Sequence, residues 1–399
     1  MYNFFCCVRK NIDGDENCKE DENNCKEDVN SYKEYENNCK EDNEKNNKQT
    51  NSINNIGFKY SFNSDINIYK INNTFLNYKK YHVLFKDSIY SEILKYNKGQ
   101  VGIWEKCKIN IFNRNNLLLE SIFIKKIIGK GTYNTVYEGY KKNEEGKIAI
   151  SVNNYKNPVK KNIDDFLSSI KIQRIINNCS LNCAPIIYNF FFLKKNEKIY
   201  LCNVSEKCKI DAFDYLKIYR SDGEWLNYII QICYKLYYLQ NKFKFTHNDL
   251  KPNNTMGKIV ECKNINYNSS YIMNSEYEFD FDFCNYGINW IIIDFGFSNI
   301  QTETEYIHSK EFIENDIEFN DERDLTLLFY IIINYFKLPY IIKNLIENCL
   351  SNVKIKETVF YPGKLNIPLD EIYMYLHSNE FKNDKCKPGK ILHDIYNQL

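Results

Sequence analysis

The sequence predicts an α+β fold of two lobes, a small sheet-rich lobe followed by a larger helical one. Two observations predict it. Between residues 122 and 204, short runs rich in β-branched and aromatic residues alternate with turn-like clusters, with one helical stretch among them. From residue 224 onward the apolar residues fall in longer, helix-like stretches, interrupted by two motifs that carry polar side chains at fixed offsets.

The strand-like runs are IFIKKIIG (122–129), TVYEGY (135–140) and KIAISV (147–152). IDDFLSSIKIQRIIN (163–177) has helical spacing, and APIIYNFFFL and KIYLCNV read as two further strands. These define a sheet-rich lobe over 121–205 and a helical lobe over 209–399. The apolar run LTLLFYIIINYF (325–336) is too short to span a bilayer and suits a buried helix, so no transmembrane segment is expected.

Ahead of these elements, residues 12–56 are dominated by Asn, Lys, Glu and Asp, with NCKED recurring at 17–21, 24–28 and 38–42. If Cys18, Cys25, Tyr32 and Cys39 shared one heptad seam, its companion would hold Asp21, Asp28, Tyr35 and Asp42, which cannot form an apolar stripe. Residues 1–57 therefore read as a low-complexity, mostly disordered tail. Aromatic and aliphatic residues return over 58–120, an extension expected to hold strands or helices, with no role legible in it.

With 399 residues, 43% of them hydrophobic, the chain can bury one large core or two small ones. Lys and Arg number 53 against 52 Asp and Glu, a balance that points to no polyanion partner such as nucleic acid. Fifteen cysteines scattered over a long chain without a signal peptide suit thiols in the cytoplasm or another reducing compartment. Cys179 and Cys183 have a spacing that could start a zinc site, but no second Cys or His pair follows at zinc-like spacing.

Three motifs carry chemistry. GKGTYNTV (129–136) lies between two strands, where Gly129 and Gly131 let backbone amides approach phosphate oxygens. Alone, such a pair is more often just a turn. In HNDLKPNN, Asp249 can accept a proton from an attacking hydroxyl, Lys251 can neutralise a moving phosphoryl group, and Asn254 offers a neutral oxygen to a magnesium ion. In WIIIDFG, an apolar strand delivers Asp294 as a second, charged magnesium ligand. The bland reading, a capped turn and a strand-end aspartate, does not account for the full ordered set.

From about residue 121 to the C-terminus the chain resembles a eukaryotic-type protein kinase domain. GKGTYNTV resembles the glycine-rich loop, HNDLKPNN the catalytic loop and DFG the metal-binding motif, and DLKPNN is similar to the serine/threonine pattern. The resemblance implies ATP and Mg2+ as cofactors and a protein as substrate. It makes Glu206 and Cys208 hinge residues for adenine, Ser205 the gatekeeper, and Val136, Ala149 and Met256 the walls around the base. It makes His247, Gly296 and Asp324 structural, with Asp324 holding the catalytic loop from beneath. FTHNDLKPNN, the long insertion before DFG and its ending NYGINWIIIDFGFS are similar to divergent kinases of large DNA viruses and some protists.

Departures from the pattern bear on activity. Where the family has the third-strand lysine that contacts the α- and β-phosphates, IAIS places Ser151, and FLSSIKIQ places Ser169 where its glutamate partner belongs. A hydroxyl cannot supply the lost charge, although losing both members together leaves no unpaired remnant. Three readings stay open: another cation substitutes, with Lys130 the nearest candidate in sequence; the protein is a slow kinase; or it binds nucleotide or a partner as a pseudokinase scaffold. Asn248 stands in place of the HRD arginine and no APE motif follows Phe297, so control by activation-loop phosphorylation is not expected.

Overall fold

Alternation in KIAISV sends Ile148, Ile150 and Val152 to one face of a strand and Ala149 and Ser151 to the other. In the computed structural model the first face lines the inside of a closed barrel. The structure describes residues 97–398 apart from 98, 114, 116, 142–145, 180, 309–318, 352, 356–357, 360–368 and 379–380. The low-complexity tail expected over 1–57, and the extension as far as residue 96, lie outside these.

Seven strands build the barrel: β1 (Val101–Glu105), β2 (Lys108–Phe112), β3 (Leu118–Lys130), β4 (Asn134–Lys141), β5 (Lys147–Asn153), β6 (Ile187–Lys195) and β7 (Lys198–Glu206). They run in the order β1, β2, β3, β4, β5, β7, β6, and parallel pairing of β1 with β6, Val101 opposite Phe192, closes the ring. Ile109, Ile111, Ile122, Phe191 and Val204 join the β5 residues inside. A Cβ on Gly139 would lie 2.5 Å from Ile150 Cδ1 and 2.7 Å from the Phe123 carbonyl oxygen, so the tight wall there needs glycine. Outside, α1 (Lys160–Asn177) lays Ile163, Leu167 and Ile170 against Phe190, Phe192 and Leu201.

The boundary expected at Ser121 falls inside β3, and residues 101–120 supply two strands and the start of a third. KINIF buries Ile109 and Ile111 completely, and Lys106 turns the β1–β2 hairpin with a left-handed φ of 53°.

The remainder is mostly helical. It contains β8 (Ile210–Asp211), α2 (Ala212–Lys217), α3 (Asp222–Phe243), β9 (Thr255–Ile259), β10 (Asn264–Asn268), β11 (Asp280–Cys284), β12 (Ile288–Ile292), β13 (Asn299–Gln301) and β14 (Tyr306–His308). Then come α4 (Arg323–Tyr335), α5 (Tyr340–Leu350), the short strands β15 (Lys354–Ile355) and β16 (Thr358–Val359), α6 (Leu369–Leu376) and α7 (Pro388–Tyr396). Helix α3 starts from a capping box, Ser221 with Glu224, and runs through the core. Its Lys235 is buried and donates to Asn289 Oδ1 at 2.7 Å and to the Trp290 carbonyl, tying α3 to β12, and burial pulls its pKa down to about 8. Trp290 sits edge-on between Tyr215 and Tyr228, at 5.2 and 5.3 Å. The long insertion forms the β10–β11 hairpin, which buries Tyr267, Phe279 and Phe281 beside Tyr234 of α3. The apolar run expected as a buried helix is α4, and no helix among the described residues is long and apolar enough to cross a membrane.

Candidate functional site

The catalytic-loop motif follows α3 at the point where Lys244 ends the helix in a left-handed turn. Two elements then hold the loop. Thr246 and Asn299 exchange backbone hydrogen bonds at 3.1 and 2.9 Å, zipping the loop to the strand after DFG. From beneath, the fully buried Asp324 accepts the backbone N–H of His247 at 2.7 Å and of Asn248 at 2.8 Å. Burial raises the Asp324 pKa, opposed by the His247 ring, the two backbone donors and Arg323. His247 Nε2 lies 2.9 Å from the Ile293 carbonyl and so links the loop to the residue before Asp294.

These supports bring the sequence-predicted polar residues together. Lys251 Nζ donates to both oxygens of Asp249 at 2.9 Å. Asn254 Nδ2 donates to the Asp249 carbonyl and to Oδ2, each at 2.9 Å, which fixes the carboxylate and keeps Asn254 Oδ1 as a neutral oxygen donor. Asp294 takes φ 62°, a strained setting for a residue with a Cβ. Desolvation, and then the nearby Asp249 carboxylate, push its pKa above the usual aspartate value, against the pull of His247 and Lys251. Gly296 contributes a backbone hydrogen bond to Asp294. The Asp294 carboxylate and the Asn254 amide oxygen are donors of the kind a hard divalent cation takes. Among the described residues no group of three or more His, Cys, Asp or Glu is arranged to hold a metal, and Cys179 and Cys183 are buried in the core.

Val136, Ala149 and Ser151 share one face of the β4–β5 pair, with Ser151 paired to Val136 and to Asn203, and Ala149 to Glu138 and Ser205. Glu138 is buried: burial would raise its pKa, yet a hydrogen bond and charge from Lys207, with Lys147 and Lys125, hold it below the usual value. Gly129 pairs with Val136, and the exposed Lys130 with Thr135. Added Cβ atoms on Gly129 and Gly131 would make only ordinary contacts at 3.7 Å, so nothing within the protein demands glycine at either place. Asn154 braces this loop by donating to the Gly131 and Thr132 carbonyls at 3.1 and 3.0 Å. The loop tip reaches down, Tyr133 meeting Phe297 edge-on at 6.2 Å.

At Glu206, expected from the sequence as a hinge residue, the amide is spent on the Ile186 carbonyl at 2.8 Å and the carboxylate on Lys258 at 2.6 Å, which leaves the carbonyl for any further contact. Cys208 is buried, and burial pushes its thiol to about 12. Met256 pairs with Ile291 and Asp211, in the middle strand of the β12–β9–β8 sheet. Ser169 lies half-buried on α1.

Residues 123–314 match the protein kinase domain family. The chain carries a protein kinase domain. No curated protein matches the chain. Everything after residue 314, Asp324 included, lies beyond the matched segment, yet two residues there add contacts to the candidate site that the motifs do not signal. Arg323 donates from its guanidinium to Asn248 Oδ1 at 3.0 Å and from Nε to the Leu376 carbonyl of α6 at 2.7 Å. Tyr373, also on α6, donates its hydroxyl to Asp249 Oδ1. Adjacency to Asp324 could have pointed to Arg323, but no sequence signal marks Tyr373, 124 residues from its partner.

Proposed function

We propose that this kinase domain transfers the γ-phosphate of ATP to serine or threonine hydroxyls of protein substrates, at a rate reduced by the loss of its third-strand lysine. The observation that carries this reading is the assembled group Asp249, Lys251, Asn254 and Asp294, four polar residues held in one cleft by buried supports. Asp249 takes the acceptor proton, its carboxylate aimed by Asn254. Lys251 balances charge beside it. Asn254 and Asp294 would hold magnesium, which when bound neutralises charge on the nucleotide phosphates. Val136, Ala149 and Met256, with the Glu206 carbonyl and Cys208, would bound the base, and the 129–136 loop would cover the phosphates.

Ser151 and Ser169 favour a second reading, a pseudokinase that binds nucleotide or a partner. Loss of a phosphate-orienting cation costs on the order of several kcal/mol of transition-state stabilisation. A chain released from catalysis has no reason to keep both magnesium-type ligands beside an oriented Asp249, and that retention supports the enzyme.

A phosphotransfer assay with labelled ATP, magnesium and casein, beside Asp249→Asn and Asp294→Asn, separates the two. Transfer by the wild type that both substitutions abolish supports the kinase. Equal signal from all three, with a thermal shift by ATP and magnesium retained, would instead establish the scaffold.

A further inference from the structure

We infer that Tyr373 is this kinase's own phosphoacceptor, modified in cis, and that its phosphorylation unseats α6 and opens the site to protein substrates. The inference rests on the proposed kinase function.

Three observations carry it. The Tyr373 hydroxyl donates to Asp249 Oδ1, the place an acceptor hydroxyl must take to lose its proton to that carboxylate. The helix bearing it is anchored to the same loop: Arg323 grips the Leu376 carbonyl with Nε at 2.7 Å and Asn248, next to Asp249, with its guanidinium at 3.0 Å. His377 closes the end of α6, its Nδ1 2.7 Å from the Tyr373 carbonyl and its ring stacked at 6.3 Å on the Tyr373 ring.

The transfer balances. Tyr373 Oη forms a bond to the γ-phosphorus of ATP, the bond from that phosphorus to the β-phosphate oxygen breaks, ADP leaves with the electron pair, and the phenol proton passes to Asp249. The product places a phosphate dianion against the site carboxylates, where like charges repel in a partly buried setting. That repulsion drives α6 off Asp249. In the unmodified protein the same hydroxyl excludes any competing acceptor, so the first turnover is spent on Tyr373.

The test uses the full chain, dephosphorylated and then incubated with magnesium and ATP at several protein concentrations, with casein as external acceptor. Phosphate is located by peptide mass spectrometry. The expected result is one phosphate on the peptide carrying Tyr373, appearing at a rate independent of protein concentration and absent from Asp249→Asn. Labelled casein with unmodified Tyr373 would overturn this inference alone and leave the kinase function standing. No label on either would overturn both. An independent readout needs no nucleotide: amide hydrogen exchange across 372–377 should speed up roughly tenfold or more in Tyr373→Phe and in Asp249→Asn, from loss of one charge-assisted hydrogen bond. Unchanged exchange in both variants would show that the contact does not seat the helix.

Discussion

Replacing Asp324 by alanine tests how the catalytic loop is held. The carboxylate is fully buried and accepts two backbone N–H groups, from His247 and Asn248. Alanine leaves both donors buried and unpaired, at about 1–3 kcal/mol each. It also strips the nearby buried Arg323 of its opposing charge, although that side chain keeps its bonds to Asn248 and Leu376. The two donors alone come to about 2–6 kcal/mol, a large part of the roughly 5–15 kcal/mol that stabilises a typical domain. Urea denaturation followed by tryptophan fluorescence measures it, since Trp225 and Trp290 are buried in the same core. Asparagine keeps one acceptor oxygen and turns an N–H2 toward the other donor, so Asp324→Asn should fall between wild type and Asp324→Ala. A loss below about 1 kcal/mol for alanine would refute the reasoning, because it would mean that both amides find other partners at no cost.

Other outcomes follow from the same contacts. Gly139→Val should destabilise the barrel by about 1–3 kcal/mol, since even the first carbon meets Ile150 and the Phe123 carbonyl; thermal melting checks it, and an unchanged melting temperature would contradict the packing. His377 has its pKa lowered to about 4, first by burial and then by Arg323, and so stays neutral where an unfolded histidine takes a proton. Its contribution to stability is complete above pH 6.5 and lost as the pH falls toward 4, so the protection of the 372–377 amides, relative to the intrinsic exchange rate at each pH, should decline over that window in wild type and stay flat in His377→Gln. Lys130→Met abolishes phosphotransfer to casein if Lys130 replaces the missing third-strand lysine, and unchanged transfer rules that role out.

The local parts of the site were legible because their residues act within a few positions of one another. Asp249, Lys251 and Asn254 share one loop, and the offsets that suggested chemistry are the offsets of their hydrogen bonds. Asp294 was readable from the apolar strand that delivers it, now seen as β12 beside β9. Strand and helix positions from 122 to 206 were set by alternation and spacing. What escaped were pairings over long separations. Residue periodicity cannot show that β1 closes on β6, nor that α6 folds back over a loop 124 residues earlier. Asn248 is a further case: its departure from the expected arginine was visible, but not that Arg323 of α4 brings a guanidinium to it from another element.

The closed barrel has a practical corollary for where this domain can be cut. A polypeptide started at residue 123, where the family match begins, would lose β1, β2 and the first residues of β3. It would also lose Ile109, Ile111 and Ile122 from the barrel interior. β6 would then present backbone groups that now pair with β1, and an open, apolar-faced edge of that kind recruits other chains. A fragment meant to fold alone should therefore keep at least the 101–112 hairpin, and shorter pieces are expected to precipitate.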